Sequence, residues 1–169
     1  ALPISAHAYQ ISSARDELPM PFHADKQLLA RAPNLLIVST GGAGFDTVNV
    51  KDCTDAGVLV VNQTGGNADA VAAHVLAMAL MLSKQIIQTD HTLRKGTMHD
   101  RNAFMGRDIN GRTIGIVGLG NVGRRVAKLC RTLFDMQILA CDPFLDEATM
   151  AERGATKVSL DELLRRSDF

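Results

Sequence analysis

Thr113-Ile-Gly-Ile-Val-Gly-Leu-Gly-Asn-Val-Gly123 is the stretch that decides how this chain is read. Thr113 to Val117 is a compact apolar run with β-branched residues, which predicts a buried strand. A helix is expected over Asn121 to Leu133, with Val122, Val126, Leu129, Cys130 and Leu133 on one face. Between them stand Gly118, Gly120 and Gly123 in GxGxxG spacing. That pattern is weak alone, but it gains meaning after a strand, at the start of a helix, with an acid closing the next strand. Gly118 permits the tight turn, Gly120 lets backbone approach a pyrophosphate, and Gly123 lets helix and strand pack closely. The helix then directs free N–H groups and the positive end of its dipole at the phosphates. A plain α/β turn holding no ligand is the other reading of the same letters.

Gln137 to Cys141 is the next strand, and Asp142 follows it, 19 residues after Gly123. A carboxylate there can accept both hydroxyls of an adenosine ribose and would repel a 2′-phosphate, so NAD is expected over NADP. Arg124 and Arg125 lie on the helix itself and are not read as 2′-phosphate ligands. Further on, a helix over about Asp146 to Arg153, a short strand at Lys157 and Val158, and a helix over Leu160 to Arg166 are expected.

Upstream, residues 6–13 read as a strand, Ala24 to Ala32 as a helix and Leu35 to Ser39 as a buried strand. Gly41-Gly-Ala-Gly44 makes a loop, and a helix over Val50 to Ala56, capped by Gly57, leads to a strand over Val58 to Val61. This is a βαβ arrangement. Gly65-Gly66 marks the expected domain boundary. A long helix then runs to about Gln88, apolar on every face between Val71 and Leu82 and so expected to be buried on all sides. Lys95 to Gly111 is a polar connector.

Lysine plus arginine equals aspartate plus glutamate over the 169 residues, so no basic field draws nucleic acid or anionic lipid, and neither partner is expected. The Val71–Leu82 run is shorter than the roughly 20 residues that cross a bilayer. Cys53, Cys130 and Cys141 lie far apart, which suggests neither a metal site nor disulfides and fits the cytoplasm. The chain opens without Met and stops just after a helical stretch, so a fragment is expected, with an unpaired sheet edge and exposed apolar surface.

Three stretches together resemble the D-isomer-specific 2-hydroxyacid dehydrogenases. Ser39 to Asn62 (STGGAGFDTVNVKDCTDAGVLVVN) resembles the close of their substrate domain. Gly66-Asn-Ala-Asp-Ala-Val-Ala-Ala-His74 resembles the start of their inter-domain helix. Phe104 to Gly120 resembles the entry to their nucleotide domain, most closely that of the phosphoglycerate branch. The resemblance implies an α/β protein: a Rossmann-type doubly wound parallel sheet, incomplete here, plus part of a flavodoxin-like substrate domain. Residues 1–66 would belong to the substrate domain, and 67–169 to the NAD domain with its long helix.

It also implies an enzyme passing a hydride between NAD and the CH–OH carbon of a small 2-hydroxy or 2-keto acid, in a homodimer. Cofactor contacts fall on Ala43, Asn121, Val122 and Asp142, beside Gly118, Gly120 and Gly123. The N–H groups of Ala43 and Gly44 would hold the substrate carboxylate, since successive amides form an anion-binding concavity. A loop kept small for packing is the alternative. The family's catalytic arginine, glutamate and histidine would follow Phe169, so no catalytic residue is expected within the span. His7, His23, His91 and His99 read as solvated, and His74 as a core or interface histidine. Ala73 stands where many members have Glu, and Ser12 and Thr40 stand near positions where phosphoglycerate enzymes place arginines. A non-catalytic NAD-sensing protein of the corepressor type is the alternative function.

Overall fold

β4 (Thr113–Val117) and β5 (Gln137–Cys141) fall on the residues expected from the sequence and pair in parallel, Thr113 level with Gln137 and Val117 level with Cys141. The computed structural model describes residues 5–96 and 99–169; residues 1–4, and Thr97 and Met98 within the polar connector, lie outside it. The chain divides into two compact units between Asn67 and Ala68.

The first unit has three parallel strands in sequence order: β1 (Ala8–Ser12), β2 (Ile37–Gly41) and β3 (Leu59–Val61). Helices α1 (Lys26–Arg31) and α2 (Val50–Asp55) link them. Asp25 caps α1 by accepting from the N–H groups of Gln27 and Leu28, and Asn49 caps α2 through Asp52 N–H. Leu28, Val38, Val48 and Cys53 are central to its core. β2 begins two residues later than expected because Leu35 is packed in the approach to it while Leu36 points to solvent, 63% exposed.

The second unit opens with α3 (Ala68–Ser83) and α4 (Ile86–Arg94). One helix to Gln88 was expected; the structure has two, bent by 63° at the break. Gln85 adopts φ 52, a left-handed conformation that ends the first helix. The backbone at Gly106 lies so close to the break that a Cβ there would be 2.3 Å from Ser83 O. Nor is α3 buried on all sides: within the chain only Ala68 and Ala72 are buried, and Leu82 is 70% exposed. No single helix among the described residues is long and apolar enough to cross a membrane; α3 and α4 together have that composition but are sharply bent.

β4, β5 and β6 (Thr156–Lys157) form a parallel sheet in that order, joined by α5 (Asn121–Phe134) and α6 (Glu147–Glu152). The last strand lies one residue before its expected place. On α5, Val126, Ala127 and Cys130 are buried against Ile114 and Ile116, whereas Leu133 is exposed and Phe134 packs in its stead. The alternate residue Gly115 faces the other side: a Cβ there would be 2.6 Å from Leu163 of α7 (Leu160–Arg166). Helices therefore cover both faces. Beyond α7, Asp168 and Phe169 donate their N–H groups to Thr113 O, and Gly115 N–H donates to Phe169 O. An unpaired sheet edge was expected, and the edge of β4 is paired at its start by these two residues.

A Cβ on Gly123 would lie 2.1 Å from Gly118 O, a backbone atom that cannot swing aside. Gly123→Ala is expected to destabilise the second unit by ~1–3 kcal/mol, the usual cost of overpacking, read as a lower thermal midpoint. An unchanged midpoint would show that the helix start can retreat freely.

Candidate cofactor site

Because β4 and β5 end level with each other, the glycine turn after one strand meets the acid after the other. The ladder runs one step past the strands, with Gly118 N–H donating to Cys141 O at 2.9 Å. Gly118 has φ +88, which only glycine adopts without strain, and the chain turns there. Leu119 buries its side chain fully in the core. Its N–H donates to Asp142 Oδ2 at 2.9 Å, while Oδ1 accepts from Phe144 N–H at 2.9 Å. The carboxylate faces the loop, held by two backbone donors. Each oxygen keeps a further lone pair, so Asp142 can still accept from sugar hydroxyls.

At the start of α5, Gly120 is the N-cap and supplies no side-chain cap. Among the described residues, none accepts from the N–H groups of Asn121, Val122 or Gly123. A Cβ built on Gly120 would meet nothing within 4 Å, so the loop has open space where a diphosphate would approach. Asn121 Oδ1 is occupied by Arg124 Nη2 at 3.0 Å. Arg125 is drawn sideways, its Nε donating to Asp69 on α3 and its Nη1 to Asn121 O at 2.7 Å. A cofactor with a diphosphate and an adjoining ribose fits this set of donors and acceptor. The second unit therefore brings Gly118, Gly120, Asn121, Val122, Gly123 and Asp142 together.

Ala43 and Gly44 belong to the first unit, on the loop after β2. The loop's carbonyls are engaged: Gly41 O by Ser13 Oγ at 3.0 Å, Gly42 O by Gln63 N–H at 2.8 Å, Ala43 O by Asn62 Nδ2 at 2.8 Å and Gly44 O by Thr40 Oγ1 at 2.7 Å. No described hydrogen bond uses the N–H of Ala43 or Gly44, and both residues are exposed. With the carbonyls tied back, the free amides can receive an anion.

The family model for the NAD binding domain of D-isomer specific 2-hydroxyacid dehydrogenases matches residues 76–169. This chain belongs to that family. It is 43% identical over 145 residues to the D-3-phosphoglycerate dehydrogenase of Mycobacterium bovis, covering 86% of this chain and 27% of that enzyme. It is also similar to the Aquifex aeolicus D-lactate dehydrogenase solved with NAD and lactic acid: TM-score 0.83, 28% identity, 99% of this chain and 49% of that one. An acyclic imino acid reductase solved with NADPH and D-Arg gives TM-score 0.81 at 25% identity, over 97% of this chain and 49% of its own. The chain thus spans 27% of the curated relative's length and about half of each solved structure. NAD is the cofactor of the family's domain, and the second unit has the groups to hold it.

Two features of this family member could not be read from the sequence. Asp142 holds the loop by accepting from Leu119 N–H, and Arg153 Nη1 donates to Leu119 O across 34 positions. Both are side-chain contacts to backbone, which leave no mark in spacing. Of the histidines, His7, His74, His91 and His99 are exposed, so His74 is not a core residue within this chain. His23 Nε2 lies 2.9 Å from Leu18 O. No group of three His, Cys, Asp or Glu able to hold a metal ion occurs among the described residues.

Gly120→Ala is expected to leave thermal stability nearly unchanged while weakening NAD binding in calorimetric titration, because only the ligand would meet the new methyl group. Asp142→Ala is expected to cost ~1.5–3 kcal/mol of NAD affinity, the worth of hydrogen bonds to a charged group. Normal affinity in both variants would remove the ligand from this loop. Burial pushes up the thiols of Cys53, where Asp52 adds to the effect, and Cys130, keeping both protonated and unreactive. Iodoacetamide should label the partly exposed Cys141 before either of them, as read by peptide mass analysis.

Proposed function

We propose that this chain carries the NAD-binding module and the substrate-anion loop of a dehydrogenase that moves a hydride between NAD and the CH–OH carbon of a small 2-hydroxy acid. The observation that supports this most is the seating of Asp142 on the Leu119 peptide beside a bare α5 N-terminus. When bound, NAD supplies the hydride acceptor. The α5 amides bind its diphosphate, Gly120 leaves room for it, and Asp142 orients the adenosine ribose. In the first unit, the amides of Ala43 and Gly44 hold the substrate carboxylate, and the four carbonyl tethers keep that loop rigid.

Phosphoglycerate is the first substrate to try, on the strength of the 43% identity to an enzyme of that name. The chemistry near the loop differs from a pair of arginines. Ser12 Oγ donates to Glu17, Thr40 is buried, and the nearby cation is Arg15, whose Nε donates to Asp46 O at 3.0 Å. The exposed Val71, Met78 and Leu82 on α3, with Ile86, Ile87 and Leu93 on α4, support a homodimer, and the sparse free thiols support a cytoplasmic setting.

Titration calorimetry of the full chain with NAD and NADP tests the cofactor reading. NAD is expected to bind roughly 10-fold or more tightly, because Asp142 opposes a 2′-phosphate and ~1.4 kcal/mol of repulsion already gives that ratio. Equal affinities would overturn the assignment. The chain by itself is expected to give no turnover of glycerate, lactate or phosphoglycerate in NADH absorbance assays, since none of its histidines matches the family's catalytic position.

A further inference from the structure

We propose that Arg153 is a positioning residue for the diphosphate loop, holding the Leu119–Gly120 peptide so that its N–H, and not its carbonyl, faces the anion. The inference rests on the dinucleotide reading above. Arg153 lies just past α6, partly buried, and its Nη1 donates to Leu119 O at 2.5 Å. The Leu119 carbonyl and the Gly120 N–H belong to one planar trans unit, so they point in opposite directions. Fixing the oxygen at Arg153 fixes the amide on the other side. No described residue accepts from the Gly120 N–H, which leaves it for a ligand.

Such a restraint has a physical reason. Gly120 has no Cβ and nothing within 4 Å of where one would stand, so rotation of the peptide before it meets little steric resistance. A flipped peptide would present a carbonyl dipole to the diphosphate and repel it. Asp142 already holds the N–H on the near side of Leu119 and does not restrain this second peptide. The two contacts act in series: Asp142 fixes the peptide entering Leu119, and Arg153 fixes the one leaving it. Arg153 forms no ion pair among the described residues, so its charge can also act on an anion through space, and the test separates orientation from attraction.

The full chain, as wild type and Arg153→Met, is titrated calorimetrically with ADP-ribose and with adenosine at ~0.05 M and ~1 M NaCl, the latter shrinking the Debye length to about 3 Å. Arg153→Met is expected to bind ADP-ribose about tenfold more weakly at both salt concentrations, the worth of one hydrogen bond from a charged donor, with adenosine affinity unchanged. Unchanged ADP-ribose affinity overturns the proposal. A parallel loss of both ligands means a merely structural role, and a deficit that vanishes in high salt means simple charge attraction; either also overturns it. Should Arg153→Met fail to fold, Arg153→Lys decides through the ratio of the two affinities. A smaller selective loss for ADP-ribose supports positioning, and an unchanged ratio overturns it. Wild-type chain that binds neither ligand would instead remove the dinucleotide reading itself.

Discussion

Two parallel strands that end level with each other are the constraint on which the cofactor site depends. With Val117 beside Cys141, Gly118 and Asp142 must fall side by side, and the ladder's last backbone bond hands over to a carboxylate. The acid satisfies a loop N–H that would otherwise be left without a partner, and it stays available to a ribose because each oxygen has capacity to spare. One carboxylate therefore sets the loop geometry and keeps acceptor capacity to spare. Slipping the β4–β5 register would lose both together.

That constraint works only because backbone can come close to backbone. Gly123 brings the first turn of α5 against the Gly118 carbonyl, and Gly115 admits Leu163 of α7 and Ser167 just beyond it on the opposite face. The chain then passes to the far edge of β4, so the glycine turn stands where the direction of winding reverses. In open α/β sheets the crevice at such a point is where ligands bind. The first unit uses a related economy: Ser13, Thr40, Asn62 and Gln63 draw the loop carbonyls inward, and the amides of Ala43 and Gly44 are left outward.

The apolar helix after the boundary shows the reach of a hydrophobic pattern. Val71 to Leu82 has no polar face, yet the burial on every side expected from it does not hold within the chain. Which residues of such a run are covered is not a property of the run. Within its own unit α3 gives Ala68 and Ala72 to the core, with Val75 and Leu76 half-covered, and Met78 and Leu82 face outward. The break at Lys84 and Gln85 was equally hidden. No proline or glycine marks it; it is imposed from outside by the close approach of Gly106 and by Arg107 N–H donating to Ser83 O.

The sequence by itself determined the α/β class, the second unit's main strands, the helix start at Asn121 and the pairing of a glycine turn with an acid. These follow from local periodicity and from the few residues a tight turn permits. Only the tertiary structure decided that Asp142 is tied to Leu119 and Phe144, that Arg153 reaches the same loop, and which side of α3 is covered. A side chain's bond to distant backbone depends on where the fold carries each end, and on the order in which strands lie side by side. No stretch of letters holds that by itself.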